Sequence, residues 1–411
     1  MIISRQLGAL LIVVCLLGLG PAPSLAQDGP VLEFILLGDI VGWPNHLGDD
    51  EPAVDVTLVP CRAFGQDLSD DYLKRWSRIY FPRTSETLRA YDVLFFNHPR
   101  LSFFTLLQQE MMVDFVGTED RVSIAYPLSH YKEVQEPWLN SPISDAIPID
   151  FDRFVVSVQR GLGQWDGYSR LRLEPDMPPV FTPFEGTGAF SDPIYEQFRP
   201  AYAKQGARIW IRGVNGPPQE PEVPAFVSWD YGDTEAWGFG IHPGTPRNHW
   251  QETGEWWELM FLNVCYYTRG EDPMIFDEAL SRITVKSYFS SYRDSVSMFQ
   301  NIVDFVSNMG ANTAQAEETL TEAGSIKEEA EADYLDMEYE SAQERMEEAL
   351  VLASEAMDEA TAAKDRALLW IYVSEWMATT AAAMVSGVLL WWLMVKRKLY
   401  REVKTTQLGS A

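Results

Sequence analysis

Few residues in this 411-residue chain have types and spacings that could do chemistry. Its three cysteines, Cys15, Cys61 and Cys265, form no CxxC, and neither HExxH nor paired Cys/His spacing is present, so no metal or cofactor is implied. Cys61 and Cys265 sit in apolar contexts that suit buried free thiols as well as one disulfide formed in an oxidising exterior. Ser129 followed by His130 sets a hydroxyl next to an imidazole, the makings of a nucleophile and its base, although neighbours on an extended turn point apart. Asp49, Asp50 and Glu51 offer carboxylates for a calcium loop but lack the EF-hand spacing and read more simply as a solvated charged face. Trp165, Tyr168, Phe181, Phe184, Phe190 and Tyr195 offer a sugar platform, or more simply the packing of a segment with little regular structure.

Two apolar segments frame these residues. Arg5, an apolar run over residues 7–19 and the small-residue pattern Ser24-Leu25-Ala26 predict a secretory signal peptide over residues 1–26. Residues 376–395 are long enough to cross a bilayer at 1.5 Å per residue. Trp370, Tyr372 and Trp376 precede them, Trp391 and Trp392 close them, and Lys396, Arg397, Lys398, Arg401 and Lys404 follow in a tail over residues 396–411. Aromatic belts and positive-inside bias predict a single-pass protein of the cell membrane, with the N-terminal part outside and the C-terminus in the cytoplasm. The chain carries a net charge of −28, and removing both basic ends leaves the ectodomain more acidic still. That balance excludes nucleic acid as a partner and promotes solubility by self-repulsion.

Between the two segments, composition changes once. Residues 31–270 are rich in Pro, Gly and aromatics, with short apolar runs at 31–37, 54–59, 93–96, 122–126, 226–229 and 237–241 that predict buried strands. Helical spacing over 104–116 and 252–267 predicts helices covering the sheet. The pattern is α/β with a mostly parallel sheet, flavodoxin-like and three-layered, with an irregular insertion over residues 161–224.

The order of segments in this block resembles the class I glutamine amidotransferase-like superfamily. TSETLRAYDVLFFNH over residues 84–98 is similar to its helix, Tyr-Asp-Val and strand passage. LLQQEMMVDFVGTEDRVSIAYPL is similar to the helix and strand before its nucleophile turn, and WLNSPISDAIPID to a segment of its membrane-associated members. PAFVSWDYGDTEAWGFGIHPG and the Trp-rich stretch after it are similar to its closing hairpin and terminal helix. The resemblance implies a cysteine in a Gly-x-Cys-x-Gly elbow, but here the turn reads Pro127-Leu128-Ser129-His130. It also implies a Phe-His-Pro-Glu passage, where Gly240-Ile241-His242-Pro243-Gly244 keeps His242 and replaces the acid with Gly244. His242, Ser129 and His130 are therefore the catalytic candidates that remain, and the domain is expected to be catalytically degenerate.

Residues 275–366 are nearly free of proline and read as an acidic helical stalk. Val285, Phe289, Tyr292, Val296, Phe299, Val303 and Val306 recur at heptad spacing until Gly310. A short helix is predicted from Asn312 or Thr313 to Gly324, then a long one opened by a Ser325/Glu328 capping box. Its stripe is Leu335, Tyr339, Ala342, Met346, Ala349, Ala353, Met357 and Ala360. Coiled coil between chains and hairpin within one chain both fit. The expectation is a non-catalytic extracellular binding or assembly subunit, anchored in the lipid bilayer, that displays its amidotransferase-like domain on the helical stalk to engage another protein or a surface ligand, with a protein partner or self-association through the stalk. A hydrolase-type ectoenzyme working near His242 and a ligand sensor acting through a membrane partner are the alternatives.

Overall fold

The structure, a computed structural model, describes residues 31–39, 51–62, 68–126, 138–153, 170–175, 177–187, 190, 201–215, 221–240, 250–307 and 309–407. The apolar runs form strands β1 (Leu32–Asp39), β2 (Val54–Arg62), β3 (Val93–Asn97) and β4 (Val122–Tyr126). They are joined by β5 (Arg170–Leu173), β6 (Arg208–Val214), β7 (Val223–Tyr231) and β8 (Thr234–Phe239) in one eight-stranded sheet of order β2-β1-β3-β4-β8-β7-β6-β5. The pairs from β2 through β8 are parallel, and β8-β7-β6-β5 are antiparallel. β3 and β4 are buried along their whole length, as central parallel strands must be, which is why they read as unbroken apolar runs. β5 and β6 fall inside the stretch expected to be irregular. Their sequences, RLRL and RIWIRGV, interleave arginines whose heads pair with Glu222, Glu174 and Asp230, so charge hides the strand period.

Helices α1 (Asp70–Tyr80), α2 (Ser85–Leu88), α3 (Leu106–Val116), α4 (Ile143–Ala146) and α5 (Trp250–Thr268) accompany the sheet. Thr105 and Gln108 form a capping box that fixes the start of α3, two residues later than the apolar spacing alone suggests. The β7–β8 turn approaches the end of α3 so closely that a Cβ on Gly232, at φ +63, would lie 2.5 Å from Gly117 O, so only glycine fits. The aromatics gather in the core: Phe226 stacks on Phe239, and Phe95, Phe226 and Phe239 all meet Phe261 of α5. Phe181, Phe184 and Phe190 are buried here too, Phe181 against Trp210 and Phe226, so these three serve packing; Trp165, Tyr168 and Tyr195 lie outside the described residues.

After α5 the chain forms three long helices, α6 (Phe276–Ser307), α7 (Ala314–Leu335) and α8 (Tyr339–Gln407). They run down, up and down again. Gln315 and Thr319 of α7 meet Glu359 of α8, while Arg345 pairs with Asp333, so α7 and α8 are antiparallel. Tyr288 of α6 reaches Glu347, and Arg282 reaches Tyr339. The stripes therefore meet inside one chain. α7 runs through Gly324 and Ser325 without a break, and the Ser325 hydroxyl donates to Glu322 O rather than capping a new helix. The break comes instead after Leu335, where Met337 adopts φ +63. α8 is long and apolar enough toward its C-terminal part to cross a membrane, and none of that part is buried in the protein.

Candidate functional site

Parallel strands end together at one edge of a sheet, and where the strand order reverses their loops diverge and leave a crevice. Here the reversal lies between β1 and β3, with β2 outside β1 and β4 outside β3. The register sets Gly38, Asn97 and Tyr126 in a row across that edge. A Cβ on Gly38 would sit 2.2 Å from Asn97 O, so the row closes only with glycine there. The next residue, His98, takes φ +51, a conformation that is uncommon for a side-chain-bearing residue and that clusters at functional sites. Its backbone N–H donates to Tyr126 O at 2.9 Å, and its ring meets the Tyr126 ring edge-on at 4.1 Å. Tyr126 in turn stacks on Phe239.

The rim of this edge is set by the helices that follow the strands. Asp70, first residue of α1, holds Arg100 at 2.6 Å. Tyr72 on α1, and Leu106 and Leu107 in the first turn of α3, are each more than half exposed and add apolar surface to this rim.

Ser129, His130 and His242 lie outside the described residues. The strands that lead to them, β4 and β8, are neighbours and end on the same edge as His98. Glu51 departs from both readings of the acidic run: it is buried, and its carboxylate accepts from Tyr334. Asp49 and Asp50 lie outside the described residues, among which no cluster of acidic, His or Cys side chains is placed to hold a metal. Cys61 and Cys265 are buried, and burial pushes the Cys265 thiol up, away from a reactive thiolate. His98 was legible only as the residue ending a strand before Pro99.

At the opposite end of β2 the sheet meets the helical bundle through buried charges. The Tyr334 hydroxyl donates to Glu51 at 2.8 Å, and Lys286, only 2% exposed, stands 3.5 Å from Glu51 and also holds Glu258 of α5. Arg282 donates to Tyr339 at 2.8 Å and to Tyr266 of α5 at 3.2 Å, and stands 3.4 Å from Glu278. Burial disfavours the Arg282 cation, but the facing oxygens of Tyr266, Tyr334 and Glu51 outweigh it and hold its pKa above the usual range. Burial pushes the phenols of Tyr266 and Tyr334 up, and that of Tyr339 to about 12, so all three remain donors at neutral pH. Ala53, just before β2, packs into the bundle's own apolar cluster beside Val285, Phe289 and Ala330.

No known protein family and no curated protein matches the chain. Among solved structures it is similar to cytoplasmic protein STM1381 from Salmonella typhimurium LT2 and cytoplasmic protein STM3548 from Salmonella typhimurium, with TM-scores of 0.39 and 0.41. Each is 14% identical, and each match covers 58% of this chain and 99% of the neighbour. Likeness of that degree carries no argument about function.

Proposed function

We propose that this protein is a non-catalytic, membrane-anchored subunit that displays the carboxyl edge of its α/β domain to a binding partner outside the cell. The observation that carries this is the position of the stalk contact. Glu51 and Ala53 precede β2, at the amino end of the strand, while the His98 edge lies at the carboxyl ends. The nine residues of β2 span roughly 30 Å at 3.3 Å per residue, so the stalk grips one end of the sheet and the candidate crevice faces away from it.

The rest follows the same direction. α8 leaves the bundle as one continuous helix, crosses the membrane, and ends in the basic segment on the cytoplasmic side. The signal peptide delivers the N-terminal part outside. The strand order β2-β1-β3-β4-β8 is that of a flavodoxin-like domain, which supports kinship with amidotransferase-like domains that have lost nucleophile and acid.

The test is a photo-crosslinker placed at Leu107, exposed on the rim, in native membranes of the source cell. The expected result is one stoichiometric adduct with an envelope protein, lost when the crosslinker is moved to Glu348 on the stalk. Amide or ester turnover by the purified protein that His242→Ala abolishes would overturn the non-catalytic reading.

A further inference from the structure

The bundle ends where residues 309–312 turn back into α7, and there it leaves a cleft of about 520 Å³ against α8. Gly310, Asn312, Ala363, Arg366, Trp370 and Ile371 line it. Ala363, nearly buried, forms the floor as the last small residue of the α8 stripe.

Arg366 is the exception among the stalk's cations. Between residues 317 and 366 there are seventeen acidic and four basic side chains. Lys327 holds Glu331, Arg345 holds Glu329 and Asp333, and Lys364 lies 4.0 Å from Asp365. Arg366 donates from Nε to Ala362 O, at 3.2 Å in its own helix, and pairs with no carboxylate among the described residues. In so acidic a stalk, a guanidinium left without an acid beside a cleft points to an anion from outside the protein.

Its depth says which one. Trp370 is 72% exposed and Trp376 73% exposed, with Tyr372 between them, the arrangement of interfacial aromatics at the entry of a membrane helix. Arg366 stands one turn above Trp370, roughly 6 Å at 1.5 Å per residue, on the headgroup side of that belt. A guanidinium presents a planar fork that matches two phosphate oxygens, and Trp370 and Ile371 offer an apolar wall below it for glycerol and acyl chains.

We propose that this cleft binds the headgroup of a single phospholipid from the outer leaflet, with Arg366 holding its phosphate. The proposal rests on the reading that α8 spans the membrane with the stalk outside.

Native mass spectrometry of the full-length protein released from micelles doped with phosphatidylglycerol tests it. One lipid is expected to stay bound per chain. Arg366→Ala is expected to lower the retained fraction about tenfold, and Arg366→Lys, which keeps charge but loses the fork, less than that. Millimolar inorganic phosphate should not displace the lipid. Equal retention by the wild type and Arg366→Ala would overturn the proposal, as would displacement by phosphate, which would mark a free-anion site. Flotation with phosphatidylcholine–phosphatidylglycerol vesicles separates the two failures: a wild type that does not float removes the spanning reading as well, whereas floating proteins with equal lipid retention remove the cleft alone.

Discussion

At the scale of single residues, the decisive groups are charges taken out of water. Lys286 lies between Glu51 and Glu258, and removing it takes away the buried cation that both carboxylates share. Lys286→Met should therefore destabilise the folded protein by about 3–5 kcal/mol in urea denaturation, whereas adding Glu51→Gln and Glu258→Gln to it should recover most of that loss. The tyrosines set an alkaline limit. A phenol whose folded pKa lies above its unfolded value of about 10 gives stability that is intact below that value and lost as pH rises through the folded one. For Tyr339 that window runs from about 10 to about 12, so stability should fall across it, and the fall should shrink in Tyr339→Phe. His98 carries backbone strain instead. A β-branched residue tolerates φ near +51 poorly, so His98→Val should cost about 1–3 kcal/mol and His98→Gly much less, read as shifts in thermal midpoint.

At the scale of elements, what the sequence announced and what it hid divide by physical cause. β3 and β4 were plain because a strand buried on both faces has no polar positions to blur it. The α6 stripe was equally plain, and Val285, Phe289, Tyr292, Phe299 and Val306 are buried where heptad spacing put them. Arg282 and Lys286, one turn apart on the same helix, are buried with them, and no rule of local periodicity finds buried cations whose partners are hundreds of positions away or on another helix. α7 was cut short because its seam is alanine, Ala316, Ala323 and Ala330, seven apart and too small to register as an apolar stripe. Ala323 and Ala330 share a cluster with Ala342, Ala349 and Ala353 of α8, and Ala316 one with Ala356 and Ala360, so the helices approach closely and tolerate little added volume. Ala349→Leu should cost about 1–3 kcal/mol and speed amide exchange in α7 more than in the sheet. The candidate site was half legible. The strand leading to Ser129 was read to its ends and the one leading to His242 in its second half, but the strained His98 became visible only once the strand order was known to reverse between β1 and β3.

At the scale of the whole molecule, the α/β domain, the bundle and the long apolar end of α8 should move as one piece, with the candidate crevice held away from the stalk contact. A flexible linker would leave the domain free to tumble on its anchor. Here the joint instead has Glu51, Glu258 and Tyr266 on the domain side, interlocked with Arg282, Lys286, Tyr334 and Tyr339 on the helices, all withdrawn from bulk water except the rims of Glu258 and Tyr339. Because such a joint is costly to break, a partner bound at the carboxyl edge would bear on α8 without slack. The most direct measurement is the distance distribution between spin labels at Arg89→Cys on the domain and Glu348→Cys on α8, taken by pulsed electron resonance in the full-length protein in lipid nanodiscs. A single narrow peak that broadens in Lys286→Met is the predicted result, and a broad distribution in the protein with Lys286 intact would contradict the account.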